Sequence, residues 1–481
     1  MDTDPPRPHA PHAITEASAL PAQLAAMRAA WERSPPSLAQ RRDDLARLRD
    51  AIARDHDALD AAIQADFGQR SRHENLLSEA MIVQGAADHA RRHLARWSRR
   101  RRVGVGWRFW PAQAWTQAQP RGVVGIMSPW NYPVNLALAP LVSALAAGNH
   151  VLLKPSELSP NTSAWIANLV AALFPPERVA VALGGAELGA AFAALPLDHL
   201  LFTGSTTVGR KVMQAAAASL TPVTLELGGK SPALLLEDAP LPRAAARIAS
   251  GKWFNAGQTC IGVDHVWVDL ARREALVEAL TQELRTRYPD LAGNPDYTRI
   301  IDARHWQRLM AAIEQARAGG ARIVQPLAID PGLAERERIV PPTLVLDAPP
   351  DGLLMREEIF GPVLPILGYA TRAEAIARLR AQARPLALYV FGADVRACER
   401  IVAELPAGGA CINDTLLHFG VHTLPFGGIG ASGMGQLHGE AGFLTFSQLR
   451  PVFRQRAWAA SDRLRPPYRG AVDRLVRLLA R

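Results

Sequence analysis

Gly122-Val-Val-Gly-Ile-Met-Ser-Pro-Trp-Asn-Tyr-Pro133 is the stretch that decides the fold. An apolar run of strand length ends in Pro129-x-x-x-Pro133, so a buried strand opens at its carboxyl end into a rigid loop. Two more runs of this kind follow, His150-Val-Leu-Leu-Lys154 and His199-Leu-Leu-Phe202, with helix-length segments between them. Alternation of strands and helices from Gly122 to Glu226 predicts a parallel, doubly wound sheet. After Gly228 it resumes with Ala233-Leu-Leu-Leu-Glu237, His265-Val-Trp-Val-Asp269, Thr343-Leu-Val-Leu-Asp347, Ala387-Leu-Tyr-Val-Phe391 and Ala410-Cys-Ile-Asn413, which predicts a second α/β domain.

Open parallel sheets bind ligands at the carboxyl ends of their strands. Asn131, held between two prolines, carries an amide NH2 able to donate to an oxygen that develops negative charge, although an asparagine in a turn more often only shapes the turn. Lys154 and Glu157, after the second strand, are placed to bond ribose hydroxyls. The third strand opens into Thr203-Gly-Ser-Thr-Thr-Val-Gly209, where Gly204, Ser205 and Gly209 lead into a helix whose first amides can meet a phosphate. Taken alone, that spacing is better read as a bare glycine turn. Only four of the 54 basic residues are lysine, at 154, 211, 230 and 252, all within the stretch that holds these motifs. Where arginine serves nearly everywhere else, a retained lysine marks a place suited to a compact ammonium; Lys154 on a ribose is the clearest candidate, and Lys211 and Lys252 read equally well as packed or exposed.

Glu226-Leu-Gly-Gly-Lys230 and Asn255-Ala-Gly-Gln-Thr-Cys260 add a base and a nucleophile. A thiol attacks carbonyl carbon well once nearby dipoles favour its thiolate. In isolation, Thr-Cys-Ile-Gly describes an inert core cysteine more often than a reactive one; its association with Glu226 and Asn131 reverses the reading. Downstream, Glu357-Glu358-Ile-Phe360-Gly-Pro362 offers a carboxylate and a ring to a second ribose, or else a plain acidic turn. Asn413-Asp-Thr-Leu-Leu-His418 and the glycine-dense Leu424-Pro-Phe-Gly-Gly-Ile-Gly-Ala-Ser-Gly-Met-Gly435 form a long loop of the kind usually kept for function or an interface.

These ordered motifs resemble the NAD(P)-dependent aldehyde dehydrogenases over about Ser37 to Phe446. Leu424–Gly435 with Gln436-Leu-His438-Gly resembles the class 3-like branch, and the run from Asn413 together with Gly439-Glu-Ala-Gly-Phe-Leu-Thr-Phe446 is most similar to the bacterial coniferyl aldehyde dehydrogenases. The resemblance implies two Rossmann-like doubly wound domains with a β-rich bridging or oligomerisation element. It divides the chain into a dinucleotide-binding domain (14–97 and 119–227), a catalytic domain (228–419), the bridging element (98–118 and 420–449) and a basic tail (450–481), after a disordered lead (1–13). It also implies that Cys260 attacks the aldehyde, that Asn131 and the Cys260 amide hold the oxyanion, and that Glu226 activates the water that hydrolyses the thioester. Gly204, Ser205, Gly209 and Leu227 are implied to contact the cofactor, Lys154 and Glu157 its adenosine ribose, and Glu358 and Phe360 its nicotinamide ribose. NAD is the expected cofactor, because Glu157 would repel a 2′-phosphate; NADP stays open because the branch often tolerates both. Trp130, Tyr132, Phe254 and Phe426 are expected along the substrate tunnel, consistent with an aromatic or cinnamyl aldehyde, with medium or long aliphatic aldehydes as the alternative. Transfer of the acyl group to coenzyme A is disfavoured by the presence of Glu226. A homodimer is implied, and no metal.

Three cysteines without paired spacing argue for a reducing compartment, and the polar, proline-rich start reads as neither signal peptide nor anchor, so a cytoplasmic protein is expected. The net charge of +9 is concentrated. Residues 91–102 hold seven arginines and no acid, and residues 450–481 hold nine arginines against two aspartates, so the rest of the chain is net acidic and nucleic acid is not an expected partner. The tail carries a basic amphipathic stripe (Val472, Leu475, Val476, Leu478, Leu479) able to lie on anionic lipid, though docking on its own domain is the favoured expectation. Ser37-Leu-Ala-Gln40 reads as a capping box that opens a helix running to Gly68, and a second helix is expected from about Glu74 to Trp97.

Overall fold

A computed structural model describes residues 14–459, 461–462, 465–466 and 468–480. The lead at 1–13 lies outside the described residues. Ser37 and Gln40 form the expected reciprocal cap, with Gln40 N donating to Ser37 Oγ at 3.2 Å and Ser37 N to Gln40 Oε1 at 2.8 Å. The helix does not run on to Gly68. It ends at Arg54 and restarts at His56, because Asp55 leaves the helical conformation while its carboxylate accepts the Trp165 indole N–H at 2.7 Å. Leu45, Leu48, Ile52, Leu59, Ile63 and Phe67 of the two pieces still face one core.

The first sheet has six strands in the spatial order Gly433–Met434, Val223–Leu227, His199–Gly204, Val123–Met127, His150–Lys154 and Val179–Val181. All pairings are parallel except the first. Succession runs one way from Val123–Met127 and then restarts on its other side with His199–Gly204, so the topological switch point lies between these two strands. Apolar residues of Asn135–Ala147 and Met81–Trp97 cover one face, and those of Thr206–Ala217 and Leu20–Arg33 the other.

The second sheet has seven strands in the order Arg322–Val324, Thr343–Leu346, Val363–Tyr369, His265–Asp269, Pro232–Leu235, Ala387–Phe391 and Gly409–Ile412, parallel except at its first edge. Five of these strands match the sequence expectation, and Val363–Tyr369 is the strand that the Glu357–Pro362 motif opens; the edge strand Arg322–Val324 was not anticipated. A third sheet joins Arg101–Val103, Gln113–Pro120 and Ser447–Arg454 in antiparallel order, so the bridging strands run past residue 449 to Arg454. Within the arginine run, Arg101 pairs with Glu440 of the same chain and Arg100 lies 5.1 Å over the Trp115 ring.

The tail departs from expectation. Ala471–Leu479 is helical, but Leu475, Val476 and Leu478 are exposed instead of docked on the domain. Among the described residues no helix is long and apolar enough to cross a membrane.

Candidate active site

A cavity of ≈ 710 Å³ runs between the two large sheets and is lined by Asn131, Gly204, Ser205, Glu226, Leu227, Cys260, Glu358 and Phe360. The first domain reaches it as the switch-point rule requires. Asn131 follows the strand ending at Met127, Ser205 follows the strand ending at Gly204, and Glu226 sits near the carboxyl end of Val223–Leu227. The second domain uses the opposite ends. Cys260 precedes the strand at His265–Asp269, and Glu358 and Phe360 precede Val363–Tyr369.

The Cys260 loop is built from two left-handed residues, Asn255 (φ 52°) and Ala256 (φ 48°), followed by Gly257, whose β-carbon would collide with the Gly361 carbonyl. The thiol is half-buried. Burial pushes it up to about 12, the carboxylates of Glu358 and Glu226 add to the shift, and the amides of Ile261 and Cys260 oppose it. Asn131 is buried, and its Nδ2 donates to the Gln258 carbonyl at 3.0 Å, which ties the asparagine to the nucleophile loop and leaves one N–H for a ligand.

Glu226 is buried with both carboxylate oxygens unpartnered, and burial holds it far above the usual carboxylate range. The glycine-dense loop explains its confinement. Gly433 pairs with Glu226 in the sheet, a β-carbon on Gly433 would strike the Leu225 carbonyl, and one on Gly427 would come within 3.2 Å of Glu226 Oε1. Burial, and after it Asp264, pushes Glu358 up to about 8, and Glu358 Oε1 has no partner. Its loop is held by Lys230, which binds Asp264 Oδ1 at 2.5 Å, the Leu354 carbonyl at 2.8 Å and the Glu357 carbonyl at 2.9 Å, while Asp264 Oδ2 accepts the Ile359 amide at 2.9 Å. Lys252 is buried, and burial lowers its ammonium to about 7.

The residues present fit a dinucleotide. Ser128 Oγ and Thr203 Oγ1, at the ends of adjacent strands, are buried without partners, as is Glu358 Oε1. Ser205 caps Thr206–Ala217, its Oγ accepting the Val208 amide at 3.3 Å, so the helix start faces the crevice. Lys154 Nζ binds Glu157 Oε2 at 3.1 Å beyond the next strand, outside the main cavity. Gly209 does not reach the cavity either; a β-carbon there would strike Leu227, so its smallness lets the helix lie on the strand.

Two of the four tunnel candidates are elsewhere. Tyr132 is buried, with its hydroxyl on Thr259 Oγ1 at 2.6 Å and the Arg70 guanidinium 4.8 Å over its ring, and Phe254 does not line the cavity. Trp130 and Phe426 do line it. Trp130 meets Phe360 and His305 edge-on, at 5.5 and 5.1 Å. Phe426 packs against Phe419 at 4.9 Å and stacks on His438 at 5.4 Å. Sequence reading missed His438, a non-glycine residue at φ 68° whose Nδ1 is buried without a partner and whose ring burial keeps neutral. It also missed Arg70, Glu74 and Glu79, which stand outside every motif. Beyond His438 the cavity continues between two helices, where Ile82, Ala86 and Ala90 face Leu136, Ala139 and Val142. Among the described residues no group of three or more His, Cys, Asp or Glu is arranged to hold a metal ion.

Residues 9–452 match the model of the aldehyde dehydrogenase family. The chain is 45% identical over 463 residues, 96% of each chain, to a probable coniferyl aldehyde dehydrogenase of Pseudomonas aeruginosa. Its fold superposes on the substrate-bound state of Staphylococcus aureus AldH with a TM-score of 0.91 at 36% identity, covering 96% of this chain and 99% of the other. A Mycobacterium tuberculosis aldehyde dehydrogenase complexed with NAD+ aligns with a TM-score of 0.82 at 30% identity, over 91% of this chain and 90% of that one.

Proposed function

Because the chain belongs to the aldehyde dehydrogenase family and therefore oxidises an aldehyde to the acid with NAD(P)+ through a cysteine intermediate, we propose that Cys260 is the nucleophile and that the substrate is an aromatic or cinnamyl aldehyde. The observation that carries the catalytic assignment is the convergence of Cys260, Asn131, Glu226 and Glu358 on one cavity from two sheets. The Cys260 thiolate adds to the aldehyde carbon, and the resulting oxyanion accepts hydrogen bonds from Asn131 Nδ2 and the Cys260 amide. When bound, the dinucleotide would supply the hydride acceptor, and Ser205, Lys154, Glu157 and Glu358 are the residues that would hold it. Loss of hydride leaves a thioester on the sulfur. Glu226 then takes a proton from water as the water attacks the thioester carbon, and the carboxylic acid leaves with the thiol restored.

Three observations support the substrate class. Phe419, Phe426 and His438 form an aromatic wall, small side chains leave room beyond it, and the Pseudomonas aeruginosa relative is a probable coniferyl aldehyde dehydrogenase. Medium or long aliphatic aldehydes are the second reading, favoured by the apolar continuation between Ala86, Ala90 and Ala139. An aldehyde panel (aliphatic, benzylic, cinnamyl) assayed with NAD and NADP decides between them. A higher kcat/KM for acetaldehyde than for coniferaldehyde overturns the first reading. NADH formation that requires coenzyme A would replace hydrolysis by acyl transfer.

The three-stranded sheet, with Val103, Leu449 and Phe453 exposed, supports a homodimer joined through this element, which sedimentation would test.

A further inference from the structure

The helical run from Arg72 to Trp97 is interrupted by a π-helical turn at Leu76–Ala80. In a regular α-helix, positions five apart point about 140° away from each other. The wider π turn rotates them toward one side, and such insertions recur at functional sites. Here it lets Glu74 and Glu79 both face the floor of the active site, where neither belongs to any sequence motif.

Their contacts interlock. Glu79 Oε1 accepts from Arg70 Nη1 at 2.9 Å, and Glu79 Oε2 accepts the Val134 and Asn135 amides at 3.1 and 2.7 Å, capping the helix that follows the Asn131 loop. Arg70 Nη1 also donates to the Asn131 carbonyl at 3.1 Å, and both partners of this ion pair are 0% exposed. Glu74 Oε2 accepts the Asn255 amide at 2.8 Å and the Thr298 hydroxyl at 3.3 Å. Asn255 Nδ2 closes the circuit by donating to the Asn131 carbonyl at 2.9 Å. A buried ion pair is weak evidence for stability in itself. Left-handed Asn255 and Ala256 are conformations that persist only where the surroundings hold them.

We propose that Glu74, together with Arg70 and Glu79, is a positioning device that fixes the left-handed turn ahead of Cys260 against the Asn131 loop, and so sets the distance between the attacking sulfur and the oxyanion donor. This inference rests on the assignment of Cys260 and Asn131 above. Glu74 touches no reacting atom; it acts through Asn255.

The test is the rate of the pre-steady-state NADH burst. Glu74→Gln keeps an oxygen at the same reach and should stay within about twofold of wild type, whereas Glu74→Asp withdraws the acceptor by one methylene and should slow the burst about 10- to 100-fold, the usual consequence of small misplacements of reacting groups. KM for NAD should not change in either. Asn255→Gly, which keeps the left-handed backbone but removes the Nδ2 donor, should slow the burst as well, and it decides the matter if Glu74→Asp does not fold. A wild-type burst rate in Glu74→Asp, or in Asn255→Gly should that variant have to decide, overturns the inference. Asn131→Ala run in parallel separates the two levels: if it leaves the burst intact, the oxyanion assignment falls; if it slows the burst while Glu74→Asp does not, only the positioning role falls.

Discussion

The Glu358 carboxylate fills the space that a β-carbon on Gly228 would need, so glycine at 228 and glutamate at 358 fit as a pair across the domain connection. Gly228→Ala should push Glu358 out of the crevice. We expect KM for NAD to rise about tenfold, the equivalent of about 1.4 kcal/mol of lost binding, with a smaller fall in kcat; fluorescence titration of NAD checks it.

The Cys260 thiol is held neutral at pH 7 by burial, and once Glu358 ionises, above about pH 8, its charge opposes the thiolate as well. Alkylation by iodoacetamide in the absence of cofactor should therefore be slow at pH 7 and climb continuously toward pH 10. Glu358→Gln removes one of the opposing charges, so the same rate should be reached at lower pH. An identical alkylation profile in that variant would show that the carboxylate does not influence the sulfur.

Glu226 must lose its proton to act as a base, and burial raises the pH at which it does so. Steady-state turnover limited by hydrolysis should increase with pH through the neutral to alkaline range. Glu226→Gln should lower it about 10²–10⁴-fold while sparing a burst of one NADH per site and leaving a thioester visible by intact-protein mass. Linkage gives a second readout. A carboxyl whose pKa is raised by folding favours the native state below its unfolded pKa and loses that contribution as pH rises through the folded value. Tm of Glu226→Gln should exceed that of wild type at pH 9, the gap closing toward pH 5.

Ala139 faces Ala86 across the inner part of the cavity. Ala139→Leu should cut kcat/KM for cinnamyl or long aliphatic aldehydes at least tenfold and leave propanal within about twofold, because the added side chain occupies only the far end. A uniform loss across the aldehyde panel would place Ala139 in general packing.

The sequence was most legible where chemistry and backbone demands coincide. The strands at Val123–Met127, His150–Lys154 and His199–Gly204 announce themselves as apolar runs, and the loops after them carry Asn131 and Ser205. Cys260 and Glu226 were readable because few alternatives explain a thiol and an acid in glycine-rich surroundings. Tyr132 was misplaced for a physical reason: the chain bends through residues 130–132, so Trp130 and Asn131 line the cavity while the Tyr132 hydroxyl is turned onto Thr259. Arg70, Glu74 and Glu79 left no signal, since a helical segment rich in charge reads as a solvated face until its neighbours are known. The tail helix deceived in the other direction, its apolar stripe suggesting a docking that the fold does not make.

Glu226 belongs to one sheet and Cys260 to the loops of the other, whereas Asn131 and Glu226 share a sheet. Any breathing of the two halves thus changes how far base and sulfur stand apart without altering the spacing of base and oxyanion donor. Acylation joins Cys260 to Asn131 and hydrolysis joins it to Glu226, so both pairs cross between the halves and one small hinge displacement reaches both reactions. A substitution at the joint between the halves, far from the aldehyde, would then lower the burst rate and the steady-state rate together.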